Sequence, residues 1–365
     1  MEHDAEYAED GFDDVGNVAG HPMPQMPQQL RMVRAGAYYS TYYGHAVQRL
    51  DAVLEGLRSV HHNAPAIFLA GDSTMDNKVW LFPGMAQSAY VMLNDMETGS
   101  FTAPAINGYE RVLQPPRMVM DVTYWLNHFL ASAGTGVAPA AFAVNTAVEA
   151  TTMTSRTGGV QCCCVPVVCP RLYAQDAFIR DRIRAQDFLC VCVGGNDIAL
   201  APSVFTVLFL ILMMLTPWFL LIPCHPSVLY FKMMFHYQLK CYVKKLVARV
   251  KPKKVALCMV YNLDEANVDS WANCALCALC YGCAPGMLQF RMRLAFVLGV
   301  KRIRIAGTTV VPIALADALD GRDTRDYHQR VEPSIQGGRK IARLILSKLG
   351  LVDEQQQQQG AITTT

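Results

Sequence analysis

Two short runs place a hydroxyl and an amide just beyond apolar, strand-like segments. Gly71-Asp72-Ser73-Thr74 follows the run 65–70, and Gly194-Gly195-Asn196-Asp197 follows the run 188–193. Glycines there let the backbone turn sharply or approach another group closely. A serine at a strand-to-helix turn suits nucleophilic attack, because its own N–H and the helix N-terminus face the negative charge that develops on a substrate oxygen. The Asn196 amide can donate to the same oxygen, and so can a backbone N–H from the turn 146–152 that follows a third apolar run, 141–145. Serine also needs a base, since its hydroxyl is almost wholly protonated at neutral pH. A polar loop holding Asp320, Asp323, Asp326, Tyr327, His328 and Glu332 offers two. One is His328 with Asp326 to orient it; the other is Glu332, whose carboxylate is a poor base at its ordinary pKa of about 4.3 unless burial raises it. Taken singly, each residue has a plainer role: Ser73 as a helix cap, Asn196 as a turn closer, His328 as a surface histidine.

The elements around these residues argue that they meet. Val47, Leu50, Val53, Leu54, Leu57 and Val60 fall on one face of a helix over 45–60. Further helices are expected over 121–131, 174–183, 227–250, 287–297 and 335–349, and one is expected to start in DNKVW with Asp72 or Ser73 near its N-cap. Between them lie five short apolar runs: 65–70, 141–145, 188–193, 255–261 and 303–306. Continuous rather than alternating apolar strands, separated by helices, predict a parallel sheet covered on both faces. The fold class is α/β, a doubly wound three-layer sandwich with a five-stranded parallel sheet. Ligands bind beyond the carboxyl ends of such strands, so the candidate residues should share one rim.

These residues resemble the SGNH hydrolases, also called GDSL-type esterases and lipases, over roughly residues 65 to 348. The GDS block is Gly71-Asp72-Ser73 and the G-x-N-D block is Gly194-Gly195-Asn196-Asp197, intact and in order. Segments such as FAVNTAVEATT and DYHQRVEPSIQGGRKIA are similar to a eukaryotic branch of that family. The chain departs from the pattern twice. Ala150 stands nearest the place of the oxyanion-hole glycine. Where the family reads D-G-x-H-P-S-x-x-G, this chain has Gln329-Arg330-Val331-Glu332-Pro333-Ser334-Ile335-Gln336-Gly337, with Glu332 in the base position and Gln329 in that of the orienting acid. The resemblance implies an esterase working through an acyl-enzyme. Ser73 would attack, the Ser73 and Ala150 N–H groups and Asn196 would hold the oxyanion, and Gly71, Asp72, Gly194, Gly195 and Asp197 would support them. It implies no metal or organic cofactor, and a small-molecule or lipid ester as substrate. The alternative is a binding or scaffold protein on the same fold that has lost its base.

Composition limits the remaining classes. The 365-residue chain carries a formal charge of +2, which gives no nucleic-acid footprint. The basic cluster 244–254 reads as a solvated helix end. The first fourteen residues hold seven acidic side chains and no Lys or Arg, the opposite of a signal peptide. With the Pro/Gln-rich stretch after them they predict a disordered arm over 1–34, then a body over 35–350 with insertions near 155–172 and 202–226, and a tail over 351–365. The odd count of 13 cysteines and the absence of an export signal predict a reducing, intracellular, cytoplasmic setting. Cys162, Cys163, Cys164 and Cys169 fall in the first insertion. Cys274, Cys277, Cys280 and Cys283 approach an iron–sulfur ligand rhythm, although the last gap differs and small semi-buried thiols are the plainer reading. Residues 204–222 carry no charge over nineteen positions, enough to span a bilayer. A lone span there would put the third and fourth strands on opposite sides of a membrane. A buried lid or an interfacial segment touching a membrane surface is therefore expected instead.

Overall fold

A computed structural model describes residues 32–62, 64–82, 96–97, 99–133, 141–157 and 172–352. Five parallel strands form the central sheet: β1 (Ala66–Gly71), β2 (Phe142–Asn145), β3 (Phe188–Cys192), β4 (Lys254–Met259) and β5 (Thr309–Ala314), in the order β2-β1-β3-β4-β5. Every residue of β1, β2 and β3 is buried, as a strand covered on both faces requires. Four of the five strands coincide with expected apolar runs. The fifth does not: residues 303–306 were expected to form it, and the chain instead turns there and pairs Thr309–Ala314 with β4. Pro312 argues against a strand in the sequence, yet it is tolerated because β5 is an edge strand, where a missing N–H costs no ladder bond.

Side chains alternate across the sheet. Ile67, Leu69, Ala143, Cys190 and Ala256 pack with helices α1 (Val122–Ala133) and α2 (Ile335–Leu349), through Val122, Leu126, Ile341, Ile345 and Leu346, into one continuous core. The alternate set, Phe68, Val144, Leu189, Val191 and Leu257, is equally buried under the remaining helices. These include Val47–Val60, Ala174–Arg182 and a helical run from Pro226 to Leu246 that passes through a π-helical stretch at Met233–Gln238. Each fully buried Leu or Ile contributes roughly 1.5–3 kcal/mol, so the rim loops are anchored on a stiff platform.

Three further expectations change. Val33 and Arg34, assigned to the N-terminal arm, pair in parallel with Leu113 and Gln114. Leu351 and Val352, assigned to the tail, pack against the main core. The residues after Ser73 form a turn and then a 3-10 helix, Asn77–Leu81, rather than an α-helix. Cys162, Cys163, Cys164, Cys169 and most of the first insertion lie outside the described residues, as do 1–31 and 353–365.

The uncharged stretch 204–222 is neither a long helix nor a buried lid. A twelve-residue helix, Val204–Leu215, ends before Pro217, and Trp218–Leu220 form one 3-10 turn. Only Thr206, Leu210 and Met213 of the helix are buried; Val204 is 83% exposed, Leu215 78% and Trp218 70%. No helix among the described residues is long and apolar enough to cross a membrane.

Candidate active site

The GDS turn is shaped by a close backbone crossing. Gly71, at the end of β1, has φ +143°, and a Cβ on it would lie 1.7 Å from the Cys192 carbonyl oxygen, so only glycine fits. The Asp72 N–H donates to that same carbonyl at 3.2 Å. Asp72 then closes a tight turn: its carboxylate accepts from the Thr74 N–H at 3.2 Å, and its carbonyl accepts from the N–H groups of Met75 and Asp76 at 3.0 Å each. Ser73 stands at the apex of this turn and is 5% exposed. Its N–H has no hydrogen-bond partner among the described residues.

The Ser73 hydroxyl donates to Glu332 Oε1 at 3.1 Å. Glu332 sits in a short antiparallel hairpin, Tyr327–His328 against Glu332–Pro333. The hairpin is held from several sides. Asn77 donates to the Pro333 carbonyl at 3.1 Å, and the Tyr261 hydroxyl donates to the Val331 carbonyl at 2.6 Å. Ser334 caps α2 by accepting from the Gly337 N–H at 3.1 Å. A Cβ at Gly337 would lie 2.1 Å from the Asp326 carbonyl oxygen, which accounts for the glycine. The P-S-x-x-G run is thus the device that aims Glu332. Burial pushes the Glu332 carboxyl up to about 8, with the Asp72 carboxylate adding to the rise and the Ser73 hydrogen bond opposing it. Asp72 is itself raised to about 6 by burial.

His328 and Asp326 are placed differently from the expected pair. His328 lies opposite Glu332 in the hairpin register and is half-buried, which lowers its pKa, and its ring hydrogen-bonds neither Ser73 nor Asp326. The Asp326 carboxylate accepts from Gln336 at 2.8 Å and from Lys340 at 2.6 Å, so it braces the start of α2.

Asn196 and Asp197 both act on the loop after β2. The Asn196 side-chain amide donates to the Thr151 carbonyl at 3.0 Å, leaving its second N–H. Asp197 is buried and accepts from the N–H groups of Met153 and Thr154 at 2.5 and 2.9 Å and from the Thr154 hydroxyl at 2.7 Å. Ala150, next to Thr151, adopts φ +56°, the left-handed conformation in which glycine costs least, and its N–H has no partner among the described residues. Gly194 has φ +111° and abuts Phe235, whereas Gly195 has an ordinary helical φ of −61° and lies against Val260. A single cavity of about 90 Å³ is lined by Ser73, Asn196 and Glu332 together, which puts the β1, β3 and C-terminal loops at one rim.

Residues not singled out in the sequence complete the surroundings. Arg156, fully buried, pairs with Asp176 at 2.5 Å and donates to the Gly71 carbonyl at 2.6 Å and the Thr151 hydroxyl at 2.7 Å, tying the first two rim loops together. Asp76 pairs with buried Lys78 at 2.6 Å and accepts from the N–H groups of Gly44 and Glu149. Glu149 accepts from the Trp80 indole at 3.1 Å, and its carboxyl is raised by burial and then by the nearby Glu332 charge. Trp80 in turn stacks on Trp271, with ring centroids 6.3 Å apart. Glu149 follows β2 by a few residues, so the rim rule would have found it; nothing local in the sequence marks Arg156 as part of the site.

Cys274, Cys277, Cys280 and Cys283 are exposed. Among the described residues no group of three or more His, Cys, Asp or Glu side chains converges as a metal site.

No family model and no curated protein sequence matches the chain. Among solved structures it is similar to an extracellular lipase from Streptomyces rimosus, at 12% identity over 80% of this chain and 100% of the lipase, with a TM-score of 0.41. It is also similar to Est24, a carbohydrate acetylesterase from Sinorhizobium meliloti, at 12% identity over 78% of this chain and 98% of that one, with a TM-score of 0.37. A Clostridium thermocellum family 3 carbohydrate esterase gives 11% identity, 79% and 99% coverage and a TM-score of 0.33. Likeness at this level carries no chemistry; the side-chain geometry does.

Proposed function

We propose that the chain is a serine ester hydrolase of SGNH type in which Glu332 is the base. The observation that carries this reading is the 3.1 Å hydrogen bond from Ser73 Oγ to Glu332 Oε1, at a cavity that Asn196 also lines. With Glu332 ionised, its carboxylate takes the Ser73 proton as Oγ bonds to the ester carbonyl carbon. The carbonyl oxygen becomes an oxyanion, held by the Ser73 N–H, the Ala150 N–H and the second N–H of Asn196. Collapse breaks the bond to the alcohol, which leaves with the proton from Glu332. Water then attacks the acyl-enzyme, giving its proton to Glu332, and the carboxylic acid departs as Ser73 regains a proton. A base whose pKa is near 8 is well matched to this double duty, where a carboxylate of ordinary acidity is not.

A fluorophosphonate serine probe tests the reading. Labelling of the wild-type chain at pH 8.5 that is lost in Ser73→Ala supports it. Labelling that persists in Ser73→Ala, or no labelling at any pH, overturns it, and the second outcome favours a binding protein on this fold.

The finer reading of the substrate is a lipid-like ester met at a surface. It is supported by the exposed apolar side chains of 204–222, which begin a few residues beyond Asn196 and include the neighbouring aromatics Trp218 and Phe219.

A further inference from the structure

Resting on that function, we infer that the cavity beside Ser73 is an acyl-chain pocket selective for a short linear chain, and that the wall formed by Asn273–Ala278 and Pro285–Leu298 sets the length. Beyond the polar groups at Ser73, the cavity is lined by Leu263, Ala275, Leu276, Leu279, Leu288 and Met292. Most of these belong to a satellite apolar cluster around Leu276, Tyr281 and Leu288. The polar side chains in the lining are engaged elsewhere. Asn262 donates to the Asp320 carbonyl, the Tyr281 hydroxyl to the Leu263 carbonyl, and Gln289 to Glu265. Apart from the Trp271 indole, which also lines the cavity, what faces it away from Ser73 is therefore largely hydrocarbon, which suits an acyl tail and disfavours a charged alcohol there.

The size fixes the class. The cavity measures about 90 Å³, and since a cavity of about 150 Å³ takes up benzene, about 25 Å³ for each carbon, it holds roughly three to four groups of methylene size. Each buried methylene should raise kcat/KM about fourfold, equivalent to about 0.8 kcal/mol, until the pocket is full. The wall is also joined to the base. Ser270 donates to the Gln329 carbonyl at 2.5 Å, the Trp271 N–H to the Gln329 side chain at 3.3 Å, and Arg330 to Asn273 at 2.8 Å. The segment closing the pocket and the hairpin carrying Glu332 thus form one hydrogen-bonded unit, so a chain that seats the wall also steadies the base.

The experiment is a chain-length profile with p-nitrophenyl esters from acetate to palmitate, run on the wild type and on Ala275→Phe, a half-exposed position where a larger side chain fills the cavity. The expected result is a maximum at butyrate or valerate that moves to acetate in the variant. A wild-type maximum at acetate, or at octanoate or longer, or a profile unchanged by Ala275→Phe, overturns the inference. A second measurement reads the pocket without turnover: valerate titrated into Ser73→Ala, followed by tryptophan fluorescence. Saturable binding weakened at least about tenfold by adding Ala275→Phe supports the pocket even if the fluorophosphonate test fails and the hydrolase reading falls. Binding indifferent to Ala275→Phe overturns it.

Discussion

His328 and Glu332 face each other across one hairpin, yet only Glu332 reaches the Ser73 hydroxyl. The cross-strand register puts the imidazole beside the base rather than in its place, and Asp326, its expected orienter, is taken by Gln336 and Lys340.

Exchange of the two residues should therefore have unequal effects. Glu332→Gln keeps the shape and removes the proton acceptor, so kcat should fall by about 10²–10⁴. His328→Ala should cost less than about tenfold. Steady-state kinetics on one soluble ester decides it; a collapse in His328→Ala with an active Glu332→Gln would return the base to histidine.

Activity and stability should respond to pH in opposite directions. In the proposed mechanism Glu332 works as a carboxylate, so kcat/KM should rise with pH through about 8. The folded-state pKa values of Glu332, Asp72 and Asp121 are raised, to about 8, 6 and 7, above their unfolded values. A group raised in this way is fully stabilising while both states are protonated, and that contribution is lost as pH climbs towards the folded-state pKa. The Tm should accordingly fall between pH 5 and pH 8, and less steeply in Glu332→Gln. A Tm that climbs over that range would contradict the burial argument.

Asn196→Ala removes one proposed oxyanion donor and one tie to the Thr151 carbonyl. By analogy with single-donor losses elsewhere, kcat should drop by about 10²–10³ with a much smaller change in KM. An effect confined to KM would place Asn196 in ground-state binding instead.

Arg156 is a test of the scaffold. Arg156→Met leaves buried Asp176 without its cation, and breaking such a pair costs about 3–5 kcal/mol. Urea denaturation should show that loss, and Asp176→Leu added to Arg156→Met should recover part of it. Equal stability of wild type and single variant would mean that Tyr242, which also donates to Asp176, suffices.

The exposed apolar stretch predicts surface binding separable from chemistry. Trp218→Ser with Phe219→Ser should weaken co-sedimentation with phosphatidylcholine vesicles at least severalfold while turnover of a soluble ester stays unchanged. Vesicle binding that survives both substitutions would assign it to another face.

Local pattern settled much of this molecule. Apolar runs without alternation announced buried parallel strands, and helical periodicity placed Val47–Val60 and Ile335–Leu349 almost to the residue. Both reflect a period that each segment carries by itself. Gly194 and Gly195 were legible as points of a sharp turn or close approach, although the atoms that Gly71 and Gly337 approach, the Cys192 and Asp326 carbonyls, were not. Tertiary structure alone decided which base meets Ser73, because four residues of chain separate His328 from Glu332 and a hairpin's register, rather than its composition, chooses between them. It alone recruited Arg156, whose partners Asp176 and the Gly71 carbonyl are distant in sequence. It alone turned 204–222 outward, since an uncharged stretch fits a core, a bilayer or a surface equally well until its neighbours fix which sides remain to be covered.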